Sequence, residues 1–172
     1  MSQPIATRVF AALALVLAAA LPASAQDDTH GAVGFGPSLL SWQEEYGTLA
    51  KGVSVDLAHP FGPPGSRLRW VADVGIMFEP GVTDTVVLGG VRFTVPVGSR
   101  VNIDLQGLLG IAHWEAFGGG ATAFTGGPGA AIRIGLNERW GVKGQIDYQF
   151  PRWDFGTIYR TWIALVIGLS PG

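Results

Sequence analysis

Three histidines and no cysteine leave this chain few groups for proton transfer or soft-metal chemistry. His30, His59 and His113 are scattered, and the acidic pair Asp27-Asp28 falls in a polar lead-in, so we expect no metal and no cofactor. Two residues after those histidines stand Ala32, Phe61 and Glu115, so only His113 has an acid on the same face of an extended strand. With a hydroxyl from Thr122 or Thr125, that pair has the residue types of a base-activated nucleophile. The plainer reading is a solvated rim, because an acid and a base without a positioned nucleophile often meet by chance; we expect no catalytic residue. Gly118-Gly119-Gly120 and Gly126-Gly127 match a phosphate-cradling loop in composition alone, with no strand-to-helix context and no lysine following.

The remaining ionic side chains fall into a pattern. Asp56, Arg69, Asp73, Arg92, Asp104, Arg133, Lys143, Asp147 and Arg160 occupy alternate positions in segments whose other alternate is largely apolar. Residues 140–150, WGVKGQIDYQF, show it most clearly: Trp140, Val142, Gly144, Ile146, Tyr148 and Phe150 oppose Gly141, Lys143, Gln145, Asp147 and Gln149. Period two over eleven residues is a strand with two chemically opposite faces, long enough to cross a bilayer at a tilt.

Eight such segments follow one another, at about 31–42, 48–59, 67–78, 85–95, 100–113, 125–136, 140–150 and 157–169, separated by Gly, Pro, Asp, Asn and Ser. No stretch of these has helical periodicity. The connection 114–124 (WEAFGGGATAF) is the longest and is expected to be an irregular loop. Residues 79–84 (EPGVTD) are expected to form another loop, and Asn137-Glu138 a tight hairpin turn.

Ahead of the segments, Arg8, an almost unbroken apolar run over 9–21 and the small-residue triplet Ala23-Ser24-Ala25 read as a signal peptide over 1–25, cleaved before Gln26. The run is too short for a spanning helix, which takes about 20 residues. Residues 26–30 are an expected flexible lead-in, 31–169 one domain and 170–172 a short tail. Loss of 1–25 removes only Arg8, leaving 10 Lys and Arg against 13 Asp and Glu, a net charge of −3 that argues against a nucleic-acid partner.

Only 14% of the residues are charged and mean hydropathy is +0.33, against about 25% charged in ordinary soluble domains. Two arrangements accommodate this. A soluble lipocalin-like carrier in the periplasm would turn the apolar set inward around a lipid, whereas a membrane barrel would turn it outward. Three features favour the second. The polar set carries both signs in near balance, which suits ion pairs in a narrow lumen. Glycine, alanine, serine and threonine fill out that set, as an eight-stranded interior requires. Aromatic residues crowd the segment ends, with Trp42, Trp70, Phe78, Trp114, Trp140, Phe150, Trp153 and Tyr159 expected at the two membrane interfaces. A pore lined by Arg and Asp rings is the sharper alternative to a structural ion-pair core.

The expected fold is therefore all-β: an eight-stranded antiparallel up-and-down transmembrane β-barrel, closed because hydrocarbon cannot satisfy an open sheet edge. The export signal, the eight alternating segments and the amphipathic last strand TIYRTWIALVIGL resemble the small outer-membrane β-barrel family of Gram-negative bacteria, which includes the transmembrane domain of outer-membrane protein A. The resemblance implies an outer-membrane location, with outer-membrane lipid and the outer-membrane assembly machinery as partners. It implies a structural or surface-interaction role through the outer loops, where a small amphiphile or surface partner would bind. Some such barrels are lipid A deacylases with His and Ser two apart on one strand; that spacing is absent here. A lipid A-modifying or amphiphile-binding rim is the alternative.

Overall fold

Alternation at period two, uninterrupted by helix-forming stretches, produces strands from end to end. The computed structural model describes residues 30–42, 49–97, 99–116, 118–137, 139–150 and 158–168. They form β1 (Ala32–Trp42), β2 (Leu49–Pro60), β3 (Leu68–Glu79), β4 (Val82–Pro96), β5 (Val101–Ala116), β6 (Gly119–Gly135), β7 (Trp140–Gln149) and β8 (Ile158–Gly168). Each strand pairs antiparallel with its sequence neighbours, and β8 pairs with β1 to close the barrel. The expected signal peptide (1–25), the lead-in up to residue 29, the connections at 43–47 and 151–156, Trp153 and the tail (170–172) lie outside the described residues, as does the side chain of Trp42.

The register fixes the geometry of the cylinder. One ladder row runs from Leu40 through Arg160, Asp147, Gly129, Gln106, Arg92 and Arg69 to Pro60. Pro60 lies two residues past Ala58, the partner of Ala32, so the row returns to β1 beside position 30, ten residues below its start. Eight strands with that stagger are tilted by about 40° and enclose a space that side chains alone can fill.

Side-chain facing is the reverse of a water-soluble barrel. Asp73, Asp104 and Arg160 are fully buried in the lumen, while Leu109 is 76% exposed and Phe124 70% exposed on the outside. Val91, Phe93, Leu105, Ile132, Ile146 and Ile163 are likewise exposed, and they form an apolar belt around the barrel. A lipocalin-like carrier would need the opposite arrangement.

Two connections differ from the sequence expectation. Residues 114–124 are not an irregular loop: β5 continues to Ala116 and β6 starts at Gly119, with register pairs unbroken from Ile111↔Phe124 to Ala116↔Gly119 and Gly118 at φ +82° in the turn. Gly118 to Ala121 and Ala123 contribute little side-chain bulk, and main-chain pairing does not depend on it. Residues 79–84 shrink in the same way to a turn at Pro80-Gly81, with Gly81 at φ +79°, a conformation that glycine adopts without a Cβ penalty. Both hairpins extend the barrel at the same end, the outer one when both chain ends face the periplasm, and each closes on a two-residue connection, against seven residues (61–67) at the opposite end.

Candidate functional site

The lumen holds the densest chemistry in the molecule, and tracing it strand by strand explains how. On β8, Arg160 donates two hydrogen bonds to Asp73 of β3, at 2.6 and 2.9 Å, and a third at 2.8 Å to Asp147 of β7. Asp147 also accepts from Gln106 of β5 (2.7 Å) and from Gln145 of its own strand (2.9 Å). The Gln106 carbonyl oxygen in turn accepts from Arg92 of β4 at 2.9 Å. Arg92 reaches Asp56 of β2 at 2.6 Å, and Lys143 of β7 closes on the same carboxylate at 2.8 Å. Below this chain, Asp104 accepts from Thr94 (2.7 Å) and from Arg133 (3.3 Å).

Burial makes these contacts necessary. An ionised group removed from water is tolerable only when paired and hydrogen-bonded, and the lumen meets that condition by sharing each central carboxylate among several donors. Trp162, 1% exposed, completes the packing: the Lys143 ammonium lies 4.0 Å from its ring centroid, within cation–π range.

The ladder places like charges side by side. Asp56 stands opposite Asp73, Arg69 opposite Arg92, and Arg133 opposite Lys143. Direct cross-strand neighbours of one sign repel. Relief comes from partners elsewhere around the lumen: Arg160 for Asp73, Asp56 for Arg92 and for Lys143, Asp104 for Arg133. Towards the end that carries Pro80-Gly81 and Gly118, the lumen holds an apolar cluster of Leu40, Ala50, Met77, Val86, Ala112 and Ile158, with Asp84, Thr125 and Gln149 buried toward the same end.

All nine ionic residues singled out in the sequence are buried on the lumen side. The partners Thr94, Gln106, Gln145 and Trp162 were not singled out, although they occupy the same alternates as their charged neighbours; strand parity was the available signal.

The interface aromatics separate. Trp70 lies on the outward alternate, stacked on His59 at 5.7 Å, and Phe78 is half-exposed. Phe150 meets Tyr148 edge-on at 4.4 Å, and Tyr148 meets Tyr159 at 5.3 Å, a cluster near the outer edge of the belt. Trp140 stands at the opposite end. Trp114 differs: the unbroken register of β5 puts it on the alternate of Asp104 and Leu108, facing the inner side of the outer rim, because the segment expected to be a loop is a strand.

On the outside of that rim, His113 Nδ1 and Thr122 Oγ1 are 2.7 Å apart, and Glu115 shares their face. Thr125, the other hydroxyl considered, is 4% exposed on the lumen side.

Comparison with solved structures finds the same fold in small barrels, among them these three. Neisserial surface protein A (NspA) matches with a TM-score of 0.64 at 13% identity, over 81% of this chain and 97% of that one. The N-terminal β-barrel domain of Pseudomonas aeruginosa OprF matches with a TM-score of 0.52 at 12% identity, over 80% and 97%. The Yersinia pestis outer membrane protein Ail, in a phospholipid bilayer nanodisc, matches with a TM-score of 0.51 at 14% identity, over 80% and 99%. At these identities the likeness shows the fold, that of small eight-stranded outer-membrane β-barrels. No protein-family profile matches the chain, and no curated protein matches it.

Proposed function

We propose that this chain is an integral outer-membrane β-barrel protein of a Gram-negative bacterium, with a plugged interior and a structural or surface-interaction role carried by its outer loops. The observation that carries the reading is the inverted facing: a continuous apolar exterior around a lumen of interlocked ion pairs. Water is a poor solvent for such an exterior, and hydrocarbon a good one. In this reading the signal peptide exports the chain, 1–25 is removed, the assembly machinery inserts the barrel, and both chain ends face the periplasm. The outer hairpins then present Glu79, Glu115 and Thr122 to the outside.

Cell fractionation tests it. The protein is expected in the detergent-extracted outer-membrane fraction and, when purified, to float with phospholipid vesicles. Recovery in the periplasmic wash would overturn the assignment.

The His113–Thr122 contact favours a second reading, in which the rim acts on an amphiphile such as lipid A. It rests on one hydrogen bond between two exposed groups. Mass spectrometry of lipid A from cells with and without the protein tests it; an unchanged acyl pattern would remove it.

A further inference from the structure

The barrel's two ends differ in charge, and the difference follows a repeat. Each of three upward strands is preceded immediately by an arginine: Arg67 before β3, Arg100 before β5 and Arg139 before β7. Their main chains are held equivalently, each carbonyl accepting from the foot of the next strand: Thr94 N–H to Arg67 (2.8 Å), Gly135 N–H to Arg100 (2.7 Å) and Gly168 N–H to Arg139 (3.0 Å). The three backbones are thus fixed at every second strand, two interstrand spacings or about 10 Å apart across the sheet, with Arg100 offset four residues along the strand from the row of Arg67 and Arg139 two residues from the row of Arg100. All three side chains are exposed. Among the described residues none of them forms an ion pair and the exposed rim at this end bears no carboxylate; Glu138 and Asp27-Asp28 lie outside the described residues. The Arg139 guanidinium lies 6.0 Å from the ring centroid of Trp140, at the lower edge of the apolar belt. One lumen-side step further in, Arg69 adds buried positive charge above Arg67.

We infer that Arg67, Arg100 and Arg139 form a phosphate-binding ring at the end of the barrel that carries the connections 61–67, 97–100 and 136–139. The inference rests on the membrane reading for its location in the periplasmic leaflet. Guanidinium is the side chain suited to phosphate, since its planar fork donates two parallel hydrogen bonds and stays charged at every relevant pH. Fixed backbones hold the three groups ready. Their separation exceeds what one phosphate can span, so the ring fits a ligand with several phosphates or several headgroups at once. Two sources supply that chemistry: anionic phospholipid headgroups level with Trp140, and soluble polyphosphate below the rim.

The test compares the full-length wild-type barrel in detergent with the triple variant Arg67→Gln/Arg100→Gln/Arg139→Gln and with a control, Glu79→Gln/Glu115→Gln, altered at the opposite end. Native mass spectrometry reads retained cardiolipin against phosphatidylcholine, and calorimetric titration with sodium tripolyphosphate reads the soluble source. Heat-modifiable gel mobility confirms that each variant is folded. Support for a lipid ligand is at least fivefold preference for cardiolipin in the wild type and control, lost in the folded triple variant. Arginine-dependent tripolyphosphate binding without cardiolipin preference supports the ring with a soluble ligand. Equal behaviour of folded wild type and triple variant in both arms overturns the inference. Failure of the wild type to float with vesicles would sink the membrane reading instead, so the two failures are separable.

Discussion

At the scale of single residues, Arg160 is the most consequential side chain, because it is fully buried and ties Asp73 to Asp147. Removing it leaves Asp73 without its ion-pair partner in a water-poor interior. Arg160→Gln is expected to lower stability by about 3–5 kcal/mol, the usual cost of breaking a buried pair by one side. Urea unfolding in lipid vesicles, followed by tryptophan fluorescence, measures it; a loss below about 1 kcal/mol would mean that solvent reaches the pair. The identity of these residues was legible in the sequence, since parity alone put Arg160 and Asp147 on one face. Their pairing was not: Arg160 and Asp73 are 87 positions apart, as are Lys143 and Asp56, and only barrel closure brings them together.

At the scale of strands, the outward alternates carry the belt. Leu109, at mid-strand on β5 and 76% exposed, would meet hydrocarbon directly. Leu109→Arg is expected to cost about 2–4 kcal/mol in vesicles, with a much smaller effect in the same change at Leu136, exposed in a turn. An equal cost at both positions would mean that Leu109 does not face lipid. All eight strands could be located from alternation because a two-solvent environment forces strict period two. The outer ends could not. Gly118 to Ala121 and Ala123 bring no bulk to either face, so the pattern fades where the hydrogen-bonded ladder continues. Pattern reads side chains, and this hairpin is held by its main chain.

At the scale of the whole molecule, a polar interior raises the question of conduction. Ion pairs that bridge β2 to β4 and β7, β3 to β8, and β7 to β8 cross-brace the lumen, and Leu40, Met77 and Val86 belong to an apolar cluster beyond them. If the interior is plugged as proposed, water and ions have no continuous path through it. Planar-bilayer recordings of the reconstituted protein are expected to show no steady single-channel current. A stable conductance that changes when Arg69 or Asp104 is replaced would establish a pore instead.

The three seams where like meets like, at Asp56 and Asp73, Arg69 and Arg92, and Arg133 and Lys143, bear on how the cylinder comes to exist. A half-assembled sheet repels itself along each of them, and for Asp73 and Lys143 the counter-ions, Arg160 of β8 and Asp56 of β2, come within reach only through closure. For those two, only the finished ring turns repulsion into attraction. Partial assemblies are thereby penalised, and the last strand to dock secures the others as it arrives.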